Sequence, residues 1–376
     1  MTECSPVAVY NPRVRKYRVI KSYCFYDLPQ LSFKALINLD FHNGHPHKKS
    51  MECINMSTNN PPYINYPGNM IIHPPCNMDN ADMYGFFVKG KLDLLQASVD
   101  QCLNAPANDK MYFKVLSPHI MLTFTQVGKV APVNPPGKDH GWFSEGDVIP
   151  WIMVGSMVEK DGEQKIDHIF WYPRFTWVDD GMAMITGREV LGYPKYLGEF
   201  VMPTKPGDPA THFSCTVKAF QPYNVDTEMA NHPLLEINQT KVGPVKRLKT
   251  ILDLIELAAD TEDLLDLDAA ALEQILALLK EPGVDQLFLK QFPSCKGDKA
   301  VYQAVVHSPA SIKKINSVEL LGGKYTLTVQ QVDSFPLVEV LGLELGDQKT
   351  LLPFHVNFDF VIEDAEVLVN NSDISS

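Results

Sequence analysis

The chain has 376 residues, 45% of them hydrophobic and 21% charged, enough apolar material for a sizeable core in one large β-rich domain or two smaller ones. A net charge of −12 without a basic stripe argues against nucleic acid as a partner. Seven scattered cysteines, an odd number, with no C-x-x-C pair, support neither a disulfide framework nor a zinc site. No apolar run approaches the roughly 20 residues of a membrane span. The N-terminus also lacks the apolar core of a secretory signal. The expectation is a cytoplasmic protein with no membrane partner.

Residues 1–55 mix Tyr, His, Lys and Cys without periodicity. Met56 then opens a polar, proline-rich stretch of the sort that begins a chain, so Met56 reads as a natural start and 1–55 as an upstream extension. His42, His45 and His47 lack acidic or cysteine partners at ligand spacing, so no metal is expected. LDLLQASVDQCL (92–103) has apolar residues at helical spacing. MYFKVL and HIMLTFTQVGKV read as strands, being rich in aromatic and β-branched residues. VIPWIMVGSMVEKDGEQKIDHIFWYPRFTWV reads as a hairpin turning at Lys160-Asp161-Gly162-Glu163. MAMITGREV and HFSCTVKAF are read as further strands.

Between Pro244 and Pro282 the texture is helical, in two segments: VKRLKTILDLIELAADTEDLL and DLDAAALEQILALLKE. Asp266 or Asp268 caps the second, and Pro282-Gly283 ends it. Its face of Leu272, Ile275, Leu276 and Leu279 is expected to pack on the body or on a partner subunit. Strands resume with AVYQAVV, INSVELLGGKYTLTVQQV and PFHVNFDFVIEDAEVLV. The fold class is therefore mainly β (α+β) with a helical insertion.

No phosphate-binding glycine loop, dinucleotide fingerprint, H-E-x-x-H pair or G-x-S-x-G elbow occurs, so no cofactor is expected. One segment stands apart: Gly187-Arg188-Glu189-Val190-Leu191-Gly192-Tyr193-Pro194-Lys195-Tyr196-Leu197-Gly198. It sets a lysine between two tyrosines, with its direction constrained by the preceding proline. Desolvation penalises the ammonium form of a lysine, and only the free amine attacks a carbonyl.

This segment resembles the signature G-R-E-x-x-x-[YF]-P-K-x-L-G of the acetoacetate decarboxylase family. SEGDVIPWIMVG, FFVKGKLDLLQASVDQCL, VDQLFLKQFPSCKGDKAVYQAVV and VNFDFVIEDAEVLV extend the similarity over about 83–369. The resemblance implies a closed antiparallel β-barrel with peripheral helices, occupying 79–369 and interrupted by the insertion at about 243–284. Residues 1–78 would form a partly disordered extension and 370–376 a polar tail. It places Lys195 as the Schiff-base lysine and Glu145 as a pocket acid, with Tyr193, Tyr196 and Arg188 around them. Acetoacetate decarboxylase is itself the known example of a lysine activated by desolvation or by a neighbouring cation.

Three departures bear on the chemistry. Tyr196 stands where many members carry a second lysine. NADMYGFFVKGK holds no arginine before the first helix, only Lys89 and Lys91 beyond it, and PHIMLTFTQV lacks a second pocket carboxylate. The implied activity is decarboxylation of an acetoacetate-like β-keto acid by a homo-oligomeric lyase through a Schiff base on Lys195. The alternatives are a Schiff-base aldolase or dehydratase acting on a larger oxo-acid, or a barrel that binds a small molecule without catalysis.

Overall fold

Two-residue periodicity decides what each long strand does here, because successive side chains leave a strand on opposite faces. The computed structural model describes residues 62–66, 68, 71–205, 207–259 and 283–372. Met56, the histidines at 42, 45 and 47, and the second segment of the insertion lie outside the described residues. Asn65–Ser376 form one unit, to which every element below belongs.

Fifteen strands occur among the described residues. The first eight are β1 (Cys76–Lys89), β2 (Phe113–Val115), β3 (His119–Pro132), β4 (Phe143–Lys160), β5 (Glu163–Pro173), β6 (Thr176–Val178), β7 (Lys195–Val201) and β8 (His212–Ala219). Then come β9 (Ala230–Lys241), β10 (Lys246–Leu248), β11 (Val284–Pro293), β12 (Ala300–Leu320), β13 (Lys324–Val329), β14 (Gly346–Ile362) and β15 (Glu366–Asn370). They pair in the order β10-β12-β11-β5-β4-β3-β1-β14-β13-β9-β8-β7-β6, with β2 on β4 and β15 on β12. Two further pairings, β12 with β14 and β4 with β6, join this path back to itself. Only β5–β11 and β6–β7 are parallel among these pairs. The fold is mainly β, and no helix among the described residues is long and apolar enough to cross a membrane.

Strands β3 and β4 separate two interiors. Ile120, Leu122 and Phe124 of β3, with Val148, Ile152 and Val154 of β4, enter the main hydrophobic core. The intervening Met121, Thr123 and Thr125, and Glu145, Asp147, Ile149, Trp151 and Met153, line a cavity on the other face. Phe213 of β8 sits at the centre of the core, its ring 5.1–5.3 Å from those of Tyr84, Phe86 and Phe124.

The helix read at 92–103 forms as α1 (Leu92–Val99) and continues as a wider turn, Asp100–Asn104. The β4–β5 hairpin turns where expected: Asp161 and Gly162 both adopt positive φ (59° and 79°), the conformation that matches the strands' twist.

MAMITGREV is not a strand. It forms α2 (Gly181–Thr186) and a wider helical turn, Gly187–Leu191. Asp180 accepts a hydrogen bond from the Ala183 backbone N–H at 2.9 Å, the N-cap geometry that tips a short apolar run toward helix. Within the insertion, 246–248 is strand β10 on β12 rather than helix, and helix α3 (Ile251–Ala259) follows. AVYQAVV and INSVEL belong to one strand, β12. Neither β9 nor the short helix α4 (Leu337–Leu341) was signalled by the patterns above.

Phe213→Ala is expected to cost about 3–5 kcal/mol, because its ring is wholly buried among three others. Denaturant unfolding of the two proteins measures it.

Candidate active site

The lysine of the motif is positioned by backbone before side chains enter. Gly187 O accepts hydrogen bonds from both Gly192 N and Tyr193 N, each at 2.9 Å, which closes the helical turn. Gly192 then reverses the chain at φ 94°, a conformation that favours glycine. From there the chain enters β7, whose first residue is Lys195. Thr176 of β6 lies opposite Lys195 in the parallel pair, and β6 also pairs with β4, Val178 opposite Asp147. Thus β6 fixes the lysine's strand against the strand that carries the acids. The aliphatic stem of Lys195 crosses Gly187 so closely that a Cβ there would stand 2.5 Å from the lysine Cδ. The first glycine of the motif is therefore a space requirement of the lysine.

Lys195 Nζ lies 2.5 Å from Glu145 Oε1, with side-chain exposures of 10% and 7%. Tyr193 forms the floor: Nζ stands 5.1 Å from its ring centroid. That ring packs 3.8 Å from Phe288, and its hydroxyl donates to the Gln286 side chain. Burial pushes the Tyr193 hydroxyl well above its usual range, reinforced by the negative charges of Asp147 and Glu145.

A second acid completes the site. Asp147 follows Glu145 by two residues on β4 and so lines the same cavity. Burial, with the charge of Glu145 next, pushes its carboxyl up to about 7, against the opposing influence of Lys195 and a hydrogen bond with Thr125. Its Oδ1 is buried and has no hydrogen-bond partner. Asp179 stands behind, its Oδ1 accepting from Gly146 N at 2.7 Å; burial raises this carboxyl too. The sequence reading missed Asp147 because it sought a second carboxylate on the neighbouring strand, in PHIMLTFTQV. The E-x-D spacing within SEGDVIP was the available signal.

The cavity has a volume of about 700 Å³. Of the residues named from sequence, Lys195, Glu145 and Tyr193 line it, while Lys89, Lys91, Arg188 and Tyr196 do not; Trp151 and Trp171 line it as well. Tyr196 leaves β7 on the opposite face, where its ring packs edge-on to Phe335 at 5.0 Å. Arg188 follows it: its guanidinium lies 5.6 Å from the Tyr196 ring and donates to the Lys195 backbone carbonyl at 3.1 Å. Together they line a separate cavity. The alternation of a strand corrects the expectation that both tyrosines flank the amine. Arg188 holds the lysine's backbone, outside the pocket.

Gly187→Ala is expected to displace the Lys195 stem and weaken its pairing with Glu145, lowering the melting temperature with secondary structure retained; thermal melts and circular dichroism read the two. A pH-dependent prediction follows from Asp147. The folded protein holds its proton up to about pH 7, whereas the unfolded chain releases it near 3.8. The folded state therefore binds more protons between these values, and stability falls as pH rises through the window. Asp147→Asn, neutral throughout, should match the parent's melting temperature below about pH 4 and exceed it at about pH 8. Thermal melts across that range check the sign.

No curated protein matches the chain, so the comparisons rest on solved structures and a family model. The acetoacetate decarboxylase of Legionella pneumophila subsp. pneumophila str. Philadelphia 1 is similar at a TM-score of 0.50 and 14% identity, with 84% of this chain and 94% of that one covered. An acetoacetate decarboxylase-like enzyme from Sphingomonas wittichii RW1 is similar at a TM-score of 0.50 and 16% identity, covering 80% and 94%. At such identities the likeness is one of fold. The family model for acetoacetate decarboxylase (ADC) matches residues 60–346, a span that contains the lysine motif and both cavity acids, and the chain belongs to the acetoacetate decarboxylase family.

Proposed function

We propose that the protein is a lyase that decarboxylates a β-keto acid through a Schiff base on Lys195, inside a barrel of the family's type. The observation that carries this reading is the buried pair of Lys195 and Glu145 at 2.5 Å, with Asp147 beside it at a proton affinity suited to neutral pH. Transfer of a proton from the ammonium to Glu145 leaves a neutral amine and a neutral acid, so the nucleophile is released without net charge separation in the low-dielectric site. The amine adds to the ketone carbonyl, and the carbinolamine hydroxyl takes the proton held by Glu145 and leaves as water, giving an iminium. The bond to the carboxylate then breaks, carbon dioxide departs, and the electron pair enters the iminium as an enamine. Asp147 delivers a proton to the enamine carbon. Hydrolysis of the resulting iminium releases the ketone and restores the amine.

Burial of charge supports the direction of the reaction. Glu145 and Asp147 line the cavity with one buried lysine. Loss of the substrate's carboxylate charge as carbon dioxide is favoured where burial penalises the charged form. One observation favours a second reading, an aldolase or dehydratase on a larger oxo-acid. No arginine lines the described part of the cavity, so nothing there grips a departing carboxylate in the bidentate manner of a guanidinium.

Borohydride added with acetoacetate is expected to leave a stable adduct on Lys195, located by peptide mass, while untreated enzyme releases carbon dioxide in step with acetone. Lys195→Ala should abolish both. An adduct without carbon dioxide would move the assignment to the aldolase or dehydratase class. Absence of any adduct across a panel of keto acids would overturn the imine altogether.

A further inference from the structure

We infer that the substrate carries a long apolar acyl chain on the carbon skeleton of its keto acid; this deepens the imine reading above and rests on it for the position of the head group. At about 30 Å³ per water-sized group, the handful of heavy atoms in acetoacetate would occupy on the order of 200 Å³. The cavity holds about 700 Å³, which leaves most of it for something else.

Its chemistry is divided in two. Lys195, Glu145 and Asp147, and the hydroxyls of Thr123 and Thr125, come from β3, β4 and β7, and one further charged residue, Lys249, lines the cavity where the chain enters α3. Every side chain that β1, β12, β14 and α3 contribute to the wall is apolar, among them Met83, Phe87, Ile315, Phe354 and Phe358. Along the sheet β14 lies three strands from β4, roughly 14 Å at about 4.8 Å per strand. The apolar wall starts beside Tyr193, where Met78 and Ile362 share its cluster, and extends away from the amine toward Met83, Phe87 and Phe354. A water-filled space with such walls would offer its waters few partners.

Two features build this region. Gly85 of β1 faces Phe354, whose ring would stand 2.1 Å from a Cβ at that position; the glycine lets the ring lie flat on the strand and keeps the space beside it open. Helix α3 closes the side that β12 and β14 leave uncovered. Leu254 packs with Val318, Phe354 and Val356, and Ile251, Leu252, Ile255 and Ala258 turn toward the cavity. The insertion thus supplies a wall of the site, and its apolar face serves the ligand as well as the core.

The test uses the full-length protein and a series of methyl ketones, from acetone through methyl pentyl ketone to methyl nonyl ketone, each trapped on Lys195 with borohydride. The ketone concentration giving half-maximal trapping is expected to fall about threefold or more per added methylene. Decanoate, which cannot form an imine, should raise the melting temperature. Ile255→Glu places a charge on the wall at a half-buried position, and should cut the preference for the long ketone over acetone by about tenfold or more. Trapping that is flat or declines with chain length, together with no stabilisation by decanoate, would overturn the inference. Stabilisation by decanoate without trapping of any ketone would uphold the apolar site and overturn the imine reading instead.

Discussion

A buried ammonium must find a partner, and the Lys195–Glu145 pair is where this fold meets that demand. Taking either charge out of water alone costs several kcal/mol, and a close, well-oriented counterion offsets it. The geometry that achieves this is not local. Glu145 lies fifty residues earlier in the chain, on a strand joined to the lysine's own strand through β6. The glycine at 187, the reversal at Gly192 and the guanidinium of Arg188 on the lysine's carbonyl all serve to bring one nitrogen to one oxygen. Asp147 is a consequence of the same strand: once Glu145 faces the cavity, the residue two places on faces it too.

The division of labour along β3 and β4 follows from the pleat. One set of alternate residues builds the aromatic core around Phe213, and the other set lines the cavity. These strands cannot slip by one residue without sending the acids into the core and the aliphatic side chains into the site. Stability and chemistry are therefore coupled in register, which accounts for a site with buried charge inside a fold whose pairings join back on themselves. The insertion enters the same scheme from outside the sheet, with α3 covering the apolar end while β3, β4 and the lysine of β7 supply the polar end.

Much of this was legible in the sequence. The β4–β5 hairpin was readable because Asp161-Gly162 meets a steric requirement that few other pairs meet. Lys195 was readable because G-R-E and Y-P-K-x-L-G recur together in one family. The helical nature of 181–191 was not: MAMIT is short and apolar, and the cap at Asp180 that decides the matter is a single side-chain contact. Tyr196 was set beside the amine by proximity in sequence, whereas neighbours on a strand point apart. The weight of Asp147 also escaped, because its proton affinity comes from burial and from a charge that only the folded chain places beside it.

By itself the sequence determined the class of fold and singled out the lysine motif, since alternating apolar runs and a rigid motif are local properties of the chain. Tertiary structure alone decided which acids face the amine, which residues of the motif turn away from it, and how large and how apolar the space in front of it is. Those are distances between residues far apart in the chain, fixed by strand register and by the packing of α3 against β12 and β14, and no local pattern encodes them.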